Sequence, residues 1–404
     1  MTGTVFKGSF TQQEPIGEEA IEAAVRVLRS GRLHRYNVAP GELAETALLE
    51  QEFAAWQGAR YCLASASGGY AMQVALRAWG VEPGEPVLTN AFTLSPVPGS
   101  IAAVGGRPVL VETTEQLTLD LDDLAAKIDT SGARLLLISH MRGHLVDMDA
   151  LMAVLERRNV ALIEDCAHTM GASWGGRRSG SFGVAACFST QTYKHLNSGE
   201  GGLMTTDDAE LMARAVILSG SYMLYERHLA GPPPETYADI RLDTPNCSGR
   251  MDNLRAAILR PQLAGLETNV ERWNERYRAV EAELQRSNGL QTPCRPEQER
   301  YVGSSIQFLT GEADPAAARA FIECCRARGV ELKWFGAEEP QGYTSRHDSW
   351  RYVAHQELPK TDALLSRLFD MRLPLTFSVE DCRLIGRIIV ECHAETMAAS
   401  GATS

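Results

Sequence analysis

An alternation constrains this chain more than any other feature. Between Ile16 and Gly202, short continuous apolar runs trade places with segments of helical periodicity. Tyr61–Ala64, Pro86–Thr89, Pro108–Val111, Arg134–Ser139 and Val160–Glu164 are apolar along their length, without an in-out alternation. Strands of that kind have no face suited to water, so both faces must be covered, which is the signature of a parallel sheet between helices. The covering helices are legible too. Ile21–Leu28 has helical spacing and ends at Gly31, Glu45–Trp56 closes at Gly58, and Tyr70–Trp79 and Met148–Arg157 are amphipathic. The fold class that follows is α/β, with a mostly parallel central sheet.

The pattern changes after Gly231-Pro-Pro-Pro234, a stiff break. Arg250–Arg286 reads as one long charged helix. Beyond it come a strand near Ser304–Leu309, a helix over Pro315–Arg328 and a last helix from Val379 to about Thr396. These elements predict a large domain over residues 12–250 and a smaller C-terminal α+β domain over 251–404. Residues 1–11 are expected to form an arm, and 398–404 a frayed tail. A length of 404 residues suits such a division.

Charge and cysteines narrow the function classes. The formal charge of -12 argues against a nucleic-acid surface, which needs a basic footprint. The nine cysteines form no CxxC pair, so no metal site is expected, and scattered thiols suit a reducing cytoplasm. The N-terminus has no apolar leader core, and no apolar run is long enough to span a membrane.

Lysine is scarce. Of 39 basic residues only five are lysine: Lys7, Lys127, Lys194, Lys333 and Lys360. Arginine serves elsewhere, so each lysine raises the question of whether an amine was needed. Lys194 stands in Ser189-Thr-Gln-Thr-Tyr-Lys-His-Leu-Asn-Ser-Gly-Glu-Gly-Gly202, between a hydroxyl run and glycines that permit close backbone approach. A buried lysine is a good nucleophile toward carbonyls. Upstream, Glu164-Asp165-Cys166-Ala167-His168 lies at the end of an apolar run, where open parallel sheets bind ligands. Earlier still, Ser67-Gly68-Gly69 opens a helix and so offers N–H groups to a phosphate. Singly, each has an ordinary reading: a solvated lysine, a helix-capping carboxylate, a core histidine, a tight turn. Together they supply an amine, an acid for a ring nitrogen and a phosphate turn, the parts of a pyridoxal phosphate site.

On these residues the chain resembles the DegT/DnrJ/EryC1/StrS family of PLP-dependent sugar and cyclitol aminotransferases, of fold type I. The resemblance is densest from Glu164 to Gly202. It continues in His140-Met-Arg-Gly143 with Asp147-Met148, in Arg250–Ala257 and in Arg372-Leu-Pro-Leu375. It implies pyridoxal 5'-phosphate as cofactor, with Lys194 as the amine that bonds it and moves the proton. Asp165 would face the pyridine nitrogen and His168 the phenolic oxygen, while Ser189, Gly68 and Gly69 would hold the phosphate. It further implies an amino acid donor, glutamine or glutamate, a keto acceptor, and a homodimer in which Asn246 and Ser248 reach the partner's cofactor. Thr93-Leu94 stands where the family has a ring-stacking aromatic, leaving Phe92 and Tyr70 as replacements. Arg35, Tyr36, Trp334, Tyr343 and Arg346 are candidate substrate contacts. The alternatives are a PLP enzyme with another outcome (dehydration, decarboxylation or replacement) and a non-catalytic PLP-binding regulator. No GxGxxG turn follows an early strand, which argues against a dinucleotide dehydrogenase.

Overall fold

A computed structural model of the chain describes residues 4–311, 314–341 and 346–400, with side chains to residue 396. Its centre is a seven-stranded sheet. The strands are Tyr61–Ser65 (β1), Pro86–Asn90 (β2), Arg107–Val111 (β3), Leu135–Ser139 (β4), Ala161–Asp165 (β5), Ala185–Ser189 (β6) and Gly202–Thr206 (β7). Their spatial order is β1-β7-β6-β5-β4-β2-β3. The pairs among β2 to β6 are parallel, and β7 runs antiparallel to both β6 and β1. The sheet is therefore mostly parallel, as its unbroken apolar strands require. Buried residues pack on both faces, Leu88, Leu136, Leu162 and Phe188 on one and Val87, Leu137, Ile163 and Met204 on the other.

Register places chemistry at one edge of this sheet. Ser139 pairs with Asp165, Asp165 with Cys187, and Ser189 with Gly202. Ser139, Asp165 and Ser189 thus stand side by side at the carboxyl ends of β4, β5 and β6. Helix α1 (Glu18–Ser30) ends at Gly31 and α2 (Glu45–Gln57) at Gly58, both glycines in the left-handed region. Helix α3 (Gly68–Trp79) follows β1 directly, capped by the Ser67 hydroxyl, which accepts from Tyr70 N–H at 3.0 Å.

The expected single helix over 250–286 is two helices, Asn253–Ala264 and Leu266–Leu284, separated at Gly265. Pro261 lies inside the first of them, and at the joint Gly265 N–H bonds Gln262 O at 3.1 Å, a tightened turn that ends the helix. The second helix bridges two cores. Its Leu266, Val270 and Trp273 pack with the large sheet, while Tyr277, Val280 and Leu284 pack with the C-terminal elements. There a four-stranded sheet is formed by Leu290–Gln291, Ser305–Thr310, Leu368–Arg372 and Lys333–Trp334, in that order. The first residues are anchored: Phe6 and Phe10 are buried in this second core and meet Phe377 edge-on. The last helix runs Val379–Ser400, so residues 398–400 of the expected frayed tail are helical, and 401–404 lie outside the described residues. Among the described residues no helix is long and apolar enough to cross a membrane.

Candidate active site

Lys194 is presented by a loop that returns on itself between β6 and β7. Thr190 N–H bonds Gly201 O at 2.9 Å, Ser198 N–H bonds Thr190 O at 3.0 Å, and Thr192 N–H bonds Gly199 O at 3.1 Å. Gly199 (φ 80°) makes the reversal. The loop closes onto α3 at Gly202, where an added Cβ would sit 2.3 Å from the Ser67 carbonyl. A glycine there lets the antiparallel strand touch the turn that opens the helix. Gly68 serves the same contact from the other side, since its added Cβ would lie 2.9 Å from Ser189 Cβ.

These segments enclose a cavity of about 350 Å³. Gly68 and Gly69 bring the α3 N-terminus to it, and Ser189, Asp165, His168 and Lys194 face it from the strand ends and the loop. Leu94, Pro96, Val97 and Met72 form an apolar wall. Phe92 packs edge-on against Phe335 instead, and the Tyr70 hydroxyl bonds Leu218 O at 3.2 Å, so neither expected replacement ring lines the cavity.

Asp165 is buried. Its carboxylate accepts from Ser139 Oγ at 2.9 Å and from Ala167 N–H at 3.1 Å, and it makes no ion pair among the described residues. Burial pushes its pKa up, while the Lys194 charge pulls it down. Lys194 is held down to about 7, chiefly by burial; Asp165 opposes this, and Arg142 and Arg372 add to it. Its Nζ lies 2.7 Å from His168 Nε2. His168 Nδ1 accepts the Arg142 backbone N–H at 3.3 Å, which assigns the ring proton to Nε2. The ring is neutral, because burial and the neighbouring cations hold its pKa well below the usual value. Nε2–H therefore donates to Lys194, which must accept as a neutral amine.

The neighbouring Glu164 has another role. It accepts from Gly180, Phe182 and Gly183 N–H and contacts His140 Nε2 at 3.0 Å, pinning the turn that leads into β6. Asn246 and Ser248 are exposed, bonded to each other at 3.1 Å, and do not line the cavity of their own chain. Of the candidate substrate contacts, Arg35 is buried in a two-pronged pair with Glu50, and Tyr36 bonds His228. Trp334 is buried with its ring N–H on Ser366 O, and Arg346 pairs with Asp348 and Asp362. None of these four lines the cavity of its own chain; there they serve in packing and ion pairs. Tyr343 lies outside the described residues. Sequence reasoning missed Arg142, Arg372, Ser139 and Gln191, all on the cavity. Arg142 and Arg372 stand in two segments that carry the resemblance, yet nothing in their spacing shows that the fold brings them together.

The cavity fits a phosphorylated pyridine aldehyde by its donor set: an amine, an unpaired buried carboxylate, and a helix N-terminus beside a hydroxyl. Known proteins agree in kind. A dTDP-3-amino-3,4,6-trideoxy-alpha-D-glucose transaminase of Streptomyces venezuelae is 35% identical over 274 residues, 67% of this chain and 65% of that protein. An L-glutamine:2-deoxy-scyllo-inosose aminotransferase of Streptoalloteichus tenebrarius is 34% identical over 250 residues, 61% of this chain and 58% of that one. The chain thus spans about two thirds or less of these relatives' length. The crystal structure of S. venezuelae DesV in complex with a ketimine intermediate superposes with a TM-score of 0.77 and 26% identity, covering 92% of this chain and 94% of DesV. The sequence profile of one family matches residues 14–389, and this chain belongs to that family, the DegT/DnrJ/EryC1/StrS aminotransferases.

Proposed function

We propose that this family member moves an amino group from an amino acid, glutamine or glutamate, to a keto carbon of a sugar- or cyclitol-like acceptor, with pyridoxal 5'-phosphate held in the Lys194 cavity. The family is PLP-dependent. The observation that carries the reading is the meeting of Lys194, Asp165 and the α3 N-terminus on one cavity. Asp165 would hold the pyridine nitrogen, and Gly68, Gly69 and Ser189 the phosphate. Bound there, the cofactor supplies an electron sink for the carbon that loses or gains a proton.

The chain's own residues do the rest. Lys194, about half of it neutral at pH 7, would take the proton from the substrate carbon and return it. A pKa close to the working pH is what a general base needs. The His168 N–H orients the lysine amine, and the Arg142 backbone fixes the His168 tautomer. Ser139 and Ala167 hold the Asp165 carboxylate at the carboxyl end of β5. Leu94, Pro96 and Val97 give the cavity one apolar wall.

Active sites shared between two copies suit the exposed segment that carries Asn246 and Ser248. Tyr222, Met223 and Leu242 are exposed apolar side chains in the same stretch, and Tyr222 lies under Arg250, which bonds Ser248. We read this surface as the dimer face. All nine cysteines are free, which suits a reducing cytoplasm.

The test is spectroscopic. The purified protein should carry a cofactor absorbance that shifts to the pyridoxamine form on adding glutamine. Lys194→Ala should abolish the shift and multiple turnover. Full activity in Lys194→Ala would overturn the assignment.

A further inference from the structure

The His168 ring that donates to Lys194 is itself set by a strained turn. His140-Met-Arg-Gly-His144 follows β4, and both Arg142 (φ 55°) and Gly143 (φ 82°) are in the left-handed region. Glycine adopts it freely. An added Cβ on Gly143 would stand 3.2 Å from the His168 carbonyl, so glycine lets the turn lie against that residue. Arginine adopts it at a cost, and Arg142 is buried. In this conformation the Arg142 N–H donates to His168 Nδ1 at 3.3 Å. Backbone of this kind persists where surrounding groups enforce it.

The enforcing groups belong to the C-terminal sheet. Gln307 and Asp370 stand opposite each other on the paired strands Ser305–Thr310 and Leu368–Arg372, and both are fully buried. They grip the turn at two points. His144 Nε2 lies 2.8 Å from Gln307 Oε1, and Arg142 Nη2 lies 2.8 Å from Asp370 Oδ2. The grips are joined, because Gln307 Nε2 donates to Asp370 Oδ1 at 2.7 Å and to Ser305 Oγ at 2.9 Å. The directions are fixed. A carboxylate only accepts, so the Gln307 amide turns its NH2 toward Asp370 and its carbonyl toward His144. His144 is neutral, since burial holds its pKa well below the usual value, and it carries its proton on Nε2. Asp370 Oδ2 makes no aligned hydrogen bond, so its hold on Arg142 is electrostatic and depends on both charges. Arg295 adds a third grip, donating to the Gly143 carbonyl at 2.8 Å.

Neither Gln307 nor Asp370 lines the Lys194 cavity. We propose that they are positioning residues for proton transfer. From the C-terminal sheet they clamp the 141–143 turn in its strained form, and the turn keeps the His168 proton on Nε2, where it donates to Lys194. Unclamped, Arg142 would relax toward ordinary backbone angles and withdraw its N–H. His168 would then be free to carry its proton on Nδ1 and accept at Nε2, and the Lys194 lone pair would lose its orientation. The catalytic weight of the clamp rests on the Lys194 reading; its effect on the His168 ring does not.

The experiment compares wild type with Asp370→Asn and Gln307→Leu. Phe308→Leu is the control. Phe308 is buried in the second core, on the opposite face of the strand that carries Gln307, so its loss loosens the sheet without touching the clamp. Nitrogen NMR of the cofactor-free protein, labelled at histidine, reads the His168 tautomer, its signal assigned by its absence from His168→Gln. Wild type and Phe308→Leu should show Nε2 protonated, and the clamp variants a mixture of both tautomers. In the holoenzyme the clamp variants should lose about 10- to 100-fold in kcat, with KM for L-glutamine changed by less than about threefold. Asp370→Asn should add nothing further to the kcat loss of Arg142→Ala, because its action runs through that side chain. Should Gln307→Leu fail to fold, Asp370→Asn keeps the acceptor for Gln307 and carries the comparison. A wild-type tautomer in the clamp variants, or a kcat loss no larger than that of Phe308→Leu, overturns the proposal. If the wild type holds no cofactor, a tautomer change in the clamp variants still upholds it, and only the functional reading falls.

Discussion

At the scale of single residues, the site is a problem in proton placement. Lys194 is useful as a nucleophile or base only when neutral, and two effects make it so. Burial penalises the ammonium, and Arg142 and Arg372 add repulsion, outweighing the attraction of Asp165. In the cofactor-free protein, acylation of Lys194 by acetic anhydride should rise with pH and reach half its maximum near 7, since only the free amine reacts. Peptide mass spectrometry can read this against the exposed Lys360, which pairs with Asp120. Removing the one group that favours the ammonium, by Asp165→Asn, should move the midpoint lower. A midpoint near 10 would show that Lys194 is hydrated. The same substitution should slow turnover by about 10²- to 10⁴-fold. Lysine scarcity raised the question for all five lysines, and the hydroxyl and glycine residues around Lys194 singled it out. The structure accounts for others: Lys127 ties Asp123 and the Leu110 carbonyl, and Lys333 lies on a cavity with Glu331, Asp370 and Arg372.

At the scale of elements, the geometry depends on how closely a strand, a helix start and a loop approach one another. β7 runs against the others, and its first residue, Gly202, pairs with both Ser65 and Ser189. A methyl group there would strike the Ser67 backbone, which cannot swing away like a side chain. Gly202→Ala should therefore destabilise the fold by about 1–3 kcal/mol in a denaturant titration. It should also weaken anion binding at the α3 N-terminus, measured with inorganic phosphate. Unchanged stability and phosphate affinity would mean that the turn yields freely. The strands β1 to β5 were legible as apolar runs, but β6 and β7 were hidden in a segment of small and polar residues. The break at Gly265 was equally hidden, because charged periodicity continues across it and tertiary packing divides it between two cores.

At the scale of the whole molecule, the cavity draws on both sheets. Lys194, Asp165 and the α3 turn come from the large one, while Arg372 comes from the C-terminal one. In the proposed dimer the exposed Tyr222, Met223 and Leu242 would meet a second copy. Gel filtration should give a dimer, and Met223→Asp with Leu242→Asp should yield monomers of low activity; a fully active monomer would refute the shared site. The alternation of apolar runs and helical periods determined the α/β layering, because a strand with two apolar faces has no other stable surroundings. Motif order likewise put an amine, an acid and a phosphate turn at the carboxyl end of that sheet. Tertiary structure alone decided the protonation of Lys194 and the tautomer of His168, since both depend on neighbours distant in sequence. It also packed Arg35, Tyr36, Trp334 and Arg346 away from their own chain's cavity and brought Arg142 and Arg372 to it. A charged residue's role follows from which partners its burial leaves it, and burial is a property of the folded chain.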